Sequence, residues 1–397
     1  MKILQINSVC GFGSTGNIVI DIAKMVMEQG HDALIAYGRN GKEHLGIKTL
    51  RIGNDYDVYL HGLYTRLMDK TGFASTKATV KFIEDIKHYK PDIIHLHNIH
   101  GYYINIEILF NFLGEASIPV VWTLHDCWAF TGHCAHFDYV GCDKWKTGCK
   151  GSCPQKKSYP ASLFLSNADF NYRKKKELFT SINKMTIVTP SKWLAGLVKE
   201  SFLQKYPTEV IHNCINTEIF KPTLSDFRHK YAIEGKFIIL GVANIWDKRK
   251  GFDDFIKLSQ MLGDLFHIVL VGLNEKQIED IKNIKNITGI RRTSNAAELA
   301  GLYTTANVFF NPTYEDNYPT VNLEAIACGT PVITYNTGGS PETIYGRTGY
   351  IINIGDVKSV SNTIIKLAYM QRNTTPSNLL GRDTFSYYME IYENSIL

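Results

Sequence analysis

Apolar and polar positions follow two alternating rhythms along this chain. Short runs rich in β-branched residues, Lys2–Asn7, Ala33–Tyr37, Asp92–His97, Pro119–Leu124 and Met185–Val188, predict buried strands. Between them, Asn17–Gln29, Tyr56–Met68, Thr76–His88, Ile104–Leu113, Leu163–Ser181 and Lys192–Gln204 carry apolar residues at helical spacing. The second half repeats the alternation. Strands Phe237–Val242, His267–Val271, Val308–Phe310 and Pro331–Thr334 are interleaved with helices Asp253–Leu262, Lys276–Lys282, Ala296–Ala306 and Thr320–Cys328; helices Val357–Tyr369 and Asp383–Tyr392 close the chain. Strands separated by helices imply crossover connections and parallel sheets, covered by helices on both faces. The stretch Asp126–Pro160 breaks the rhythm and is too long for a plain connection. Val210–Pro222 is a shorter irregular connector between the halves.

At 397 residues the chain exceeds one usual domain, so two doubly wound α/β domains are expected. Such domains bind ligands at the carboxyl ends of their strands, and two facing each other would put a cleft between them. With 44% hydrophobic and 20% charged residues the composition is that of a globular protein, which excludes disorder and fibrous repeats as its main character. No apolar stretch nears the ~18 residues of a membrane span. The first residues are too polar for a signal-peptide core, so the expectation is cytoplasmic. The net charge of +5 suits anionic substrates or a membrane surface and is too weak to argue for nucleic acid.

Several motifs sit where ligands bind. Gly11, Gly13 and Gly16 form G-x-G-x-x-G between a strand and a helix, fitting a phosphate- or sugar-facing loop or a structural turn. A dinucleotide is disfavoured, because the second strand ends Tyr37-Gly38-Arg39 without the acid that would hold a ribose. Asp55-Tyr56-Asp57 has the D-x-D form of a metal pair, but it stands at a helix start and reads as capping. His125-Asp126 and His97-Asn98 end two candidate strands. Lys248-Arg249-Lys250-Gly251, at a strand-to-helix junction, suits a diphosphate. Arg173-Lys174-Lys175-Lys176 reads as an exposed helix face, or more sharply as a lipid-facing patch. Tyr314 to Ile333 presents carboxylates at Glu315 and Asp316, a helix opening at Pro319 or Thr320, and Glu324 about a turn further in. Cys134, Cys142, Cys149 and Cys153 are spaced by seven, six and three residues in the irregular stretch. They are candidates for a structural zinc, a reversible disulfide or ordinary free thiols.

The block Asp316–Val332 resembles the acidic-x7-Glu motif of family 4 glycosyltransferases, with its following Glu-Ala-x-Ala-x-Gly-x-Pro-Val. Ile211–Pro222 is similar to that family's interdomain segment, and the resemblance runs nearly end to end, closest to bacterial capsule, exopolysaccharide and O-antigen enzymes. The resemblance implies a retaining enzyme of the GT-B fold, two facing Rossmann-like domains with a cleft between them. It places an acceptor-side domain at 1–206, a donor-binding domain at 207–382, and a final helix, 383–397, packed back on the first. Glu324 should bind the donor's ribose hydroxyls, and Asp316, or Glu315 beside it, the donor sugar. Asn317, Tyr318, Pro319 and Thr320 replace the family's commoner Gly-Phe-Gly-Leu run, and all but Pro319 are expected to offer backbone N–H groups. Lys250 matches the Lys of the family's diphosphate site, and Arg249 is expected to stand in for its usual Arg. His125 looks like the family's His beside the transferred sugar, and Gly11, Gly13 and Gly16 like its loop near diphosphate and acceptor. Asp316 and His125 are expected to position and polarise rather than attack. No catalytic cofactor is implied. The donor would be a UDP- or GDP-sugar. The acceptor would be a saccharide, or an undecaprenyl-diphosphate-linked oligosaccharide met at the inner membrane face through a transient contact. Alternatives are a nucleotide-sugar epimerase or hydrolase of the same fold and a catalytically silent sugar-nucleotide-binding protein.

Overall fold

In a computed structural model describing residues 1–41, 46–370 and 385–396, the chain divides into Met1–Asn213 joined by Asp383–Leu397, and Cys214–Arg382. The first unit runs β1 (Lys2–Asn7), α1 (Gly13–Glu28), β2 (Asp32–Tyr37), β3 (Lys48–Arg51), α2 (Asp55–Met68), α3 (Thr76–Tyr89), β4 (Ile93–Leu96), α4 (Ile106–Ala116), β5 (Val120–Thr123), α5 (Ala168–Phe179), β6 (Met185–Thr189), α6 (Lys192–Glu200) and β7 (Thr208–Val210). Its strands pair in parallel in the order β3-β2-β1-β4-β5-β6-β7. The reversal of order at β1 and β4 opens a crevice beyond their carboxyl ends, where such sheets bind ligands. The edge strands β3 and β7 were not legible as strands, because an edge strand is half solvated and lacks a continuous apolar run.

The second unit runs α7 (Phe227–Lys230), β8 (Phe237–Val242), α8 (Phe252–Met261), β9 (Phe266–Val271), α9 (Glu275–Ile281), β10 (Ile287–Ile290), α10 (Ala296–Thr305), β11 (Val308–Asn311), α11 (Thr320–Ala327), β12 (Val332–Tyr335), β13 (Gly349–Ile352) and α12 (Val357–Ala368). Its parallel sheet has the order β10-β9-β8-β11-β12-β13. Apolar residues of β8, β9, β11 and β12 fill cores on both sides of it.

The chain's last helix, α13 (Ser386–Ile396), belongs to the first unit. Residues 383, 384 and 397 of the expected 383–397 helix lie outside the described residues. Phe385, Tyr388, Met389 and Tyr392 of this segment are buried.

Three local features depart from the sequence reading or decide it. Helix α5 begins at Ala168 rather than Leu163. The last carbonyls of α2 have no partner within their own helix, and the Leu163 N–H and the Asn167 side chain donate to Arg66 and Met68, which holds 163–167 out of helix. Lys175 is not on an exposed face: it is buried, its Nζ 2.6 Å from the Trp128 carbonyl and 3.8 Å from the Trp128 ring centre. Asp55-Tyr56-Asp57 is a cap. Asn54 accepts from the N–H groups of Tyr56 and Asp57, and Asp57 accepts from the Asn54 N–H.

Helix α2 is amphipathic in the reverse sense. Polar His61 and Thr65 face the core, while Tyr56, Tyr59, Leu60, Leu63 and Leu67, at one-face helical spacing, are exposed. No helix among the described residues is long and apolar enough to cross a membrane.

Candidate functional site

In the second unit, chemistry collects where β8 and β11 end. The loop after β8 turns through Gly251 at φ +73°, and a β-carbon there would lie 2.2 Å from the Pro312 carbonyl oxygen. Only glycine lets the two loops touch. Two further bonds join them: the Tyr314 N–H donates to the Arg249 carbonyl (2.7 Å), and Arg249 Nη1 donates to the Glu315 carbonyl (2.8 Å). The result is an ion pair between Lys250 Nζ and Asp316 Oδ2 at 2.5 Å, with both side chains about one-fifth exposed. Asp316 is fixed from behind as well, because its carbonyl accepts from Gly339 N–H (3.0 Å). A β-carbon on Gly338, at φ +54°, would stand 2.0 Å from that same oxygen.

Asn317 and Tyr318 are buried, Pro319 caps α11, and Thr320 is its first residue. The opening N–H groups of α11 have no partner within the helix, and its dipole favours an anion there. Glu324 lies one turn in. Burial pushes its carboxyl up to about 7, against the pull of the Tyr303 hydroxyl, which donates to Oε2 at 2.9 Å. Tyr303 escaped sequence reasoning, since nothing local to it signals a partner on another helix. Asp254 escaped likewise. It is buried and accepts from the hydroxyls of Tyr314 and Tyr335, each at 2.8 Å, which braces the 312–316 loop.

In the first unit, Gly11 and Gly13 adopt φ +69° and +61°, so the turn needs both glycines. At Gly16 a β-carbon would crowd the Gly11 backbone at 3.1 Å. The Gly11 N–H closes the loop onto the Gly16 carbonyl (3.0 Å). Beside it the Arg39 N–H donates to the Ser8 carbonyl, and the buried Arg39 Nε has no hydrogen-bond partner. The strand end that lacks a ribose-binding acid thus supplies a cation.

At the ends of β4 and β5 the histidines form a directed chain. Gln5 Nε2 donates to the Val19 carbonyl (2.9 Å), which leaves Gln5 Oε1 as an acceptor 3.0 Å from His97 Nε2. His97 Nε2 therefore carries the proton and its Nδ1 accepts, so the proton between His97 Nδ1 and His125 Nε2 (3.1 Å) belongs to His125. His125 is left with its lone pair on Nδ1. Burial lowers His125 to about 4, so it is neutral at pH 7. Its neighbour Asp126 accepts from His100 Nε2 at 2.9 Å, and His100 Nδ1 lies 3.0 Å from the Tyr159 hydroxyl. Burial alone would raise the Asp126 carboxyl; the charge and hydrogen bond of His100, the charge of His136 and the Trp128 N–H together outweigh it and hold the group at about 2.

Cys134, Cys142, Cys149 and Cys153 line one small cavity in the irregular stretch of the first unit. All four are free thiols. Among the described residues no three His, Cys, Asp or Glu side chains are arranged so that they could hold a metal ion as they stand.

Comparison with known proteins agrees with this architecture. The family model described as Glycosyltransferase Family 4 matches residues 15–219, and that described as Glycosyl transferases group 1 matches 236–369. The putative colanic acid biosynthesis glycosyl transferase WcaC of Escherichia coli K12 is 26% identical, covering 99% of this chain and 100% of its own. The capsular polysaccharide biosynthesis glycosyltransferase CapM of Staphylococcus aureus is 28% identical over 39% of this chain and 43% of its own. Among solved structures, Anabaena HepE in complex with UDP superposes with a TM-score of 0.69 at 16% identity, covering 100% of both chains. Sucrose-phosphate synthase of Thermosynechococcus elongatus gives 0.68 at 17%, covering 99% of this chain and 96% of its own. These two show a shared GT-B fold. The protein is a glycosyltransferase, and the chain belongs to glycosyltransferase family 4.

Proposed function

We propose that the protein transfers a sugar, with retention of anomeric configuration, from a UDP- or GDP-sugar to a lipid-linked saccharide in surface polysaccharide assembly. The observation that carries this reading is the Lys250–Asp316 pair set just ahead of the α11 N-terminus, with Glu324 one turn inside. A departing diphosphate needs fixed positive charge, and Lys250 and the α11 N–H groups offer it without a metal. Lys250 would exchange Asp316 for phosphate when the donor enters, freeing Asp316 for a hydroxyl of the donor sugar. Glu324 would take the ribose hydroxyls. His125, neutral and accepting at Nδ1, would orient a hydroxyl near the sugar's reactive carbon. The Gly11–Gly16 loop and Arg39 would meet the acceptor's phosphate. In this reading 207–382 is the donor domain, 1–206 with 383–397 the acceptor domain. The full-length colanic acid relative and the capsular relative, by their names, support the pathway class.

A thermal-shift panel of UDP-, GDP-, ADP- and TDP-sugars tests the donor class, and the anomeric configuration of the product tests retention. Lys250→Ala should weaken donor binding by roughly 10- to 100-fold, the worth of one charge-assisted hydrogen bond. Unchanged donor binding and turnover in that variant would remove the diphosphate assignment. Rapid hydrolysis or epimerisation of the donor with no acceptor present would favour the alternative enzyme readings.

We also propose that the exposed stripe of α2 rests on an anionic membrane surface. Leu163, whose N–H bonds the Arg66 carbonyl of α2, and Phe164, 73% exposed, are further exposed apolar residues next to this helix. Arg66, on α2, is exposed, and Lys156 lies against the Phe164 carbonyl with exposed Lys157 next to it in sequence. Apolar residues edged by cations suit acyl chains beneath anionic headgroups. The wild-type protein should sediment with vesicles containing anionic lipid, and Leu63→Asp with Phe164→Asp should release it while donor binding persists. Failure of the wild type to sediment would rule this surface out.

A further inference from the structure

The segment from Asp126 to Asn167 has little regular structure of its own: three short 3-10 turns, at Trp128–Phe130, Asp138–Val140 and Lys144–Lys146, are its regular elements among the described residues. Yet it packs Phe130, Phe137 and Trp145 into the core. A loop this long and this buried needs something to hold its turns together. The four cysteines come from four different turns of it and meet at one cavity of about 10 Å³, the room of roughly one water-sized sphere.

We propose that Cys134, Cys142, Cys149 and Cys153 bind a structural zinc ion that fixes this segment onto the first unit. Nothing in the transfer chemistry uses these residues, and the site lies outside the groups assigned to donor or acceptor. Four thiolates closing a tetrahedral shell, with no position left open, is the coordination of a structural zinc.

Three observations set these four cysteines apart from ordinary buried thiols. The backbone already donates to sulfur: the Gly132 N–H lies 3.2 Å from Cys149 Sγ, and the Gln155 N–H bonds Cys153. Two cationic or potentially cationic groups are buried against the cluster. Lys175 is buried within electrostatic reach of Cys149 and Cys134. His133 is fixed through Nδ1 by the Asp69 carboxylate, acts electrostatically on Cys153, and leaves its buried Nε2 without a partner. A zinc–tetrathiolate carries a net charge of −2, which both groups would face. Finally, Cys149 sits at φ +53°, a left-handed conformation that a non-glycine residue holds only when its surroundings impose it.

The thiols are not closed on a common point in the structure. Cys134 and Cys153 already hydrogen-bond to each other. Closing all four on one ion requires the sulfurs to move, side chains move between staggered χ1 positions, and zinc binding supplies the drive.

The test uses the full-length protein purified without chelator. Elemental analysis should find close to one zinc per chain. Titrating the native protein with an organomercurial should release that zinc to a chromogenic chelator as four thiols react. Cobalt(II) exchange should produce the intense visible absorption of tetrahedral thiolate coordination. Cys142→Ser and Cys153→Ser should each lose the metal, whereas Cys328→Ser, in the second unit, should keep it. Less than a tenth of an equivalent of zinc would overturn the proposal. So would zinc that survives both serine substitutions, or denatured, non-reduced protein in which these four cysteines resist alkylation because they are paired as disulfides. Should the serine variants fail to fold, metal content and mercurial release from the native chain decide the matter. Donor binding by the second unit is a separate readout, so loss of zinc and failure of the donor assignment are told apart.

Discussion

Glu324 carries its proton further up the pH scale than a solvated carboxyl, to about 7, because burial disfavours its charge more than the hydrogen bond from the Tyr303 hydroxyl favours it. The native state therefore keeps a proton that the unfolded chain releases near its ordinary value of 4.5. The stability this contributes is fully present below 4.5 and is lost as pH rises through about 7. Glu324→Gln, which cannot ionise, should match the wild type in Tm at pH 5 and exceed it at pH 8. Donor binding should respond in the opposite sense. Ribose hydroxyls donate to the charged carboxylate, so donor affinity should climb toward pH 8, by at most about tenfold per pH unit below the midpoint. Calorimetric titrations in two buffers of different ionisation heat should show proton release on binding near pH 7. No buffer dependence would mean that Glu324 does not receive the ribose.

At the scale of elements, the carboxyl ends of β4 and β5 concentrate histidines that refuse protons. Burial comes first among the causes that lower His95, His97 and His125; the charge of His125 adds to it at His95 and His97, and that of His95 at His97, while at His125 the charge of His100 adds to it and that of Asp126 opposes it. His61, inside α2, is lowered to about 4 by burial. In the unfolded chain each takes a proton near 6.5. Their neutral state in the fold thus contributes stability that is present above about 6.5 and lost as pH falls toward 4. The first unit should unfold at progressively lower temperature from pH 6.5 to pH 5, with net uptake of protons, and His61→Gln should make that slope shallower. A Tm that stays level across this range would contradict the buried, neutral arrangement. How far these elements could be read from sequence follows the same logic of burial. β1, β4, β5, β8, β9, β11 and β12 are sheltered on both faces and announce themselves as apolar runs. β3, β7, β10 and β13 are short, partly solvated and at or near sheet edges, so no pattern marks them. His125, Lys250 and Glu324 were legible because a strand end or a helix start gives local context. Gln5, Tyr303 and Lys175 were not, because each acquires its meaning from a partner on another element. Lys175 shows the limit most clearly, since a run of four cations hides one that turns inward.

At the scale of the whole molecule, the chain leaves the first unit at Asn213, builds the second, and returns through Asp383–Leu397. The return is anchored at the same histidine array. The Tyr392 hydroxyl lies 2.6 Å from His95 Nδ1, and the Tyr388 hydroxyl lies 2.9 Å from Thr123 Oγ1, which itself meets His95 Nε2 at 2.8 Å. Phe385, Tyr388, Met389 and Tyr392 are each at most 4% exposed. Burying four such side chains is worth about 1.5–3 kcal/mol each, a sum comparable to the about 5–15 kcal/mol margin of a whole domain. Tyr392→Phe keeps the packing but leaves a buried imidazole nitrogen without its partner, so it should destabilise the first unit by about 1–3 kcal/mol. A chain ending at residue 384 should lose far more. Its first unit should become protease-sensitive while a fragment beginning near Cys214 survives, because, among the described residues, the second unit's core clusters include none from α13. The two variants together separate a hydrogen bond from a docking surface. If the shortened chain kept a protease-resistant first unit, α13 would be an appendage rather than part of the core it closes.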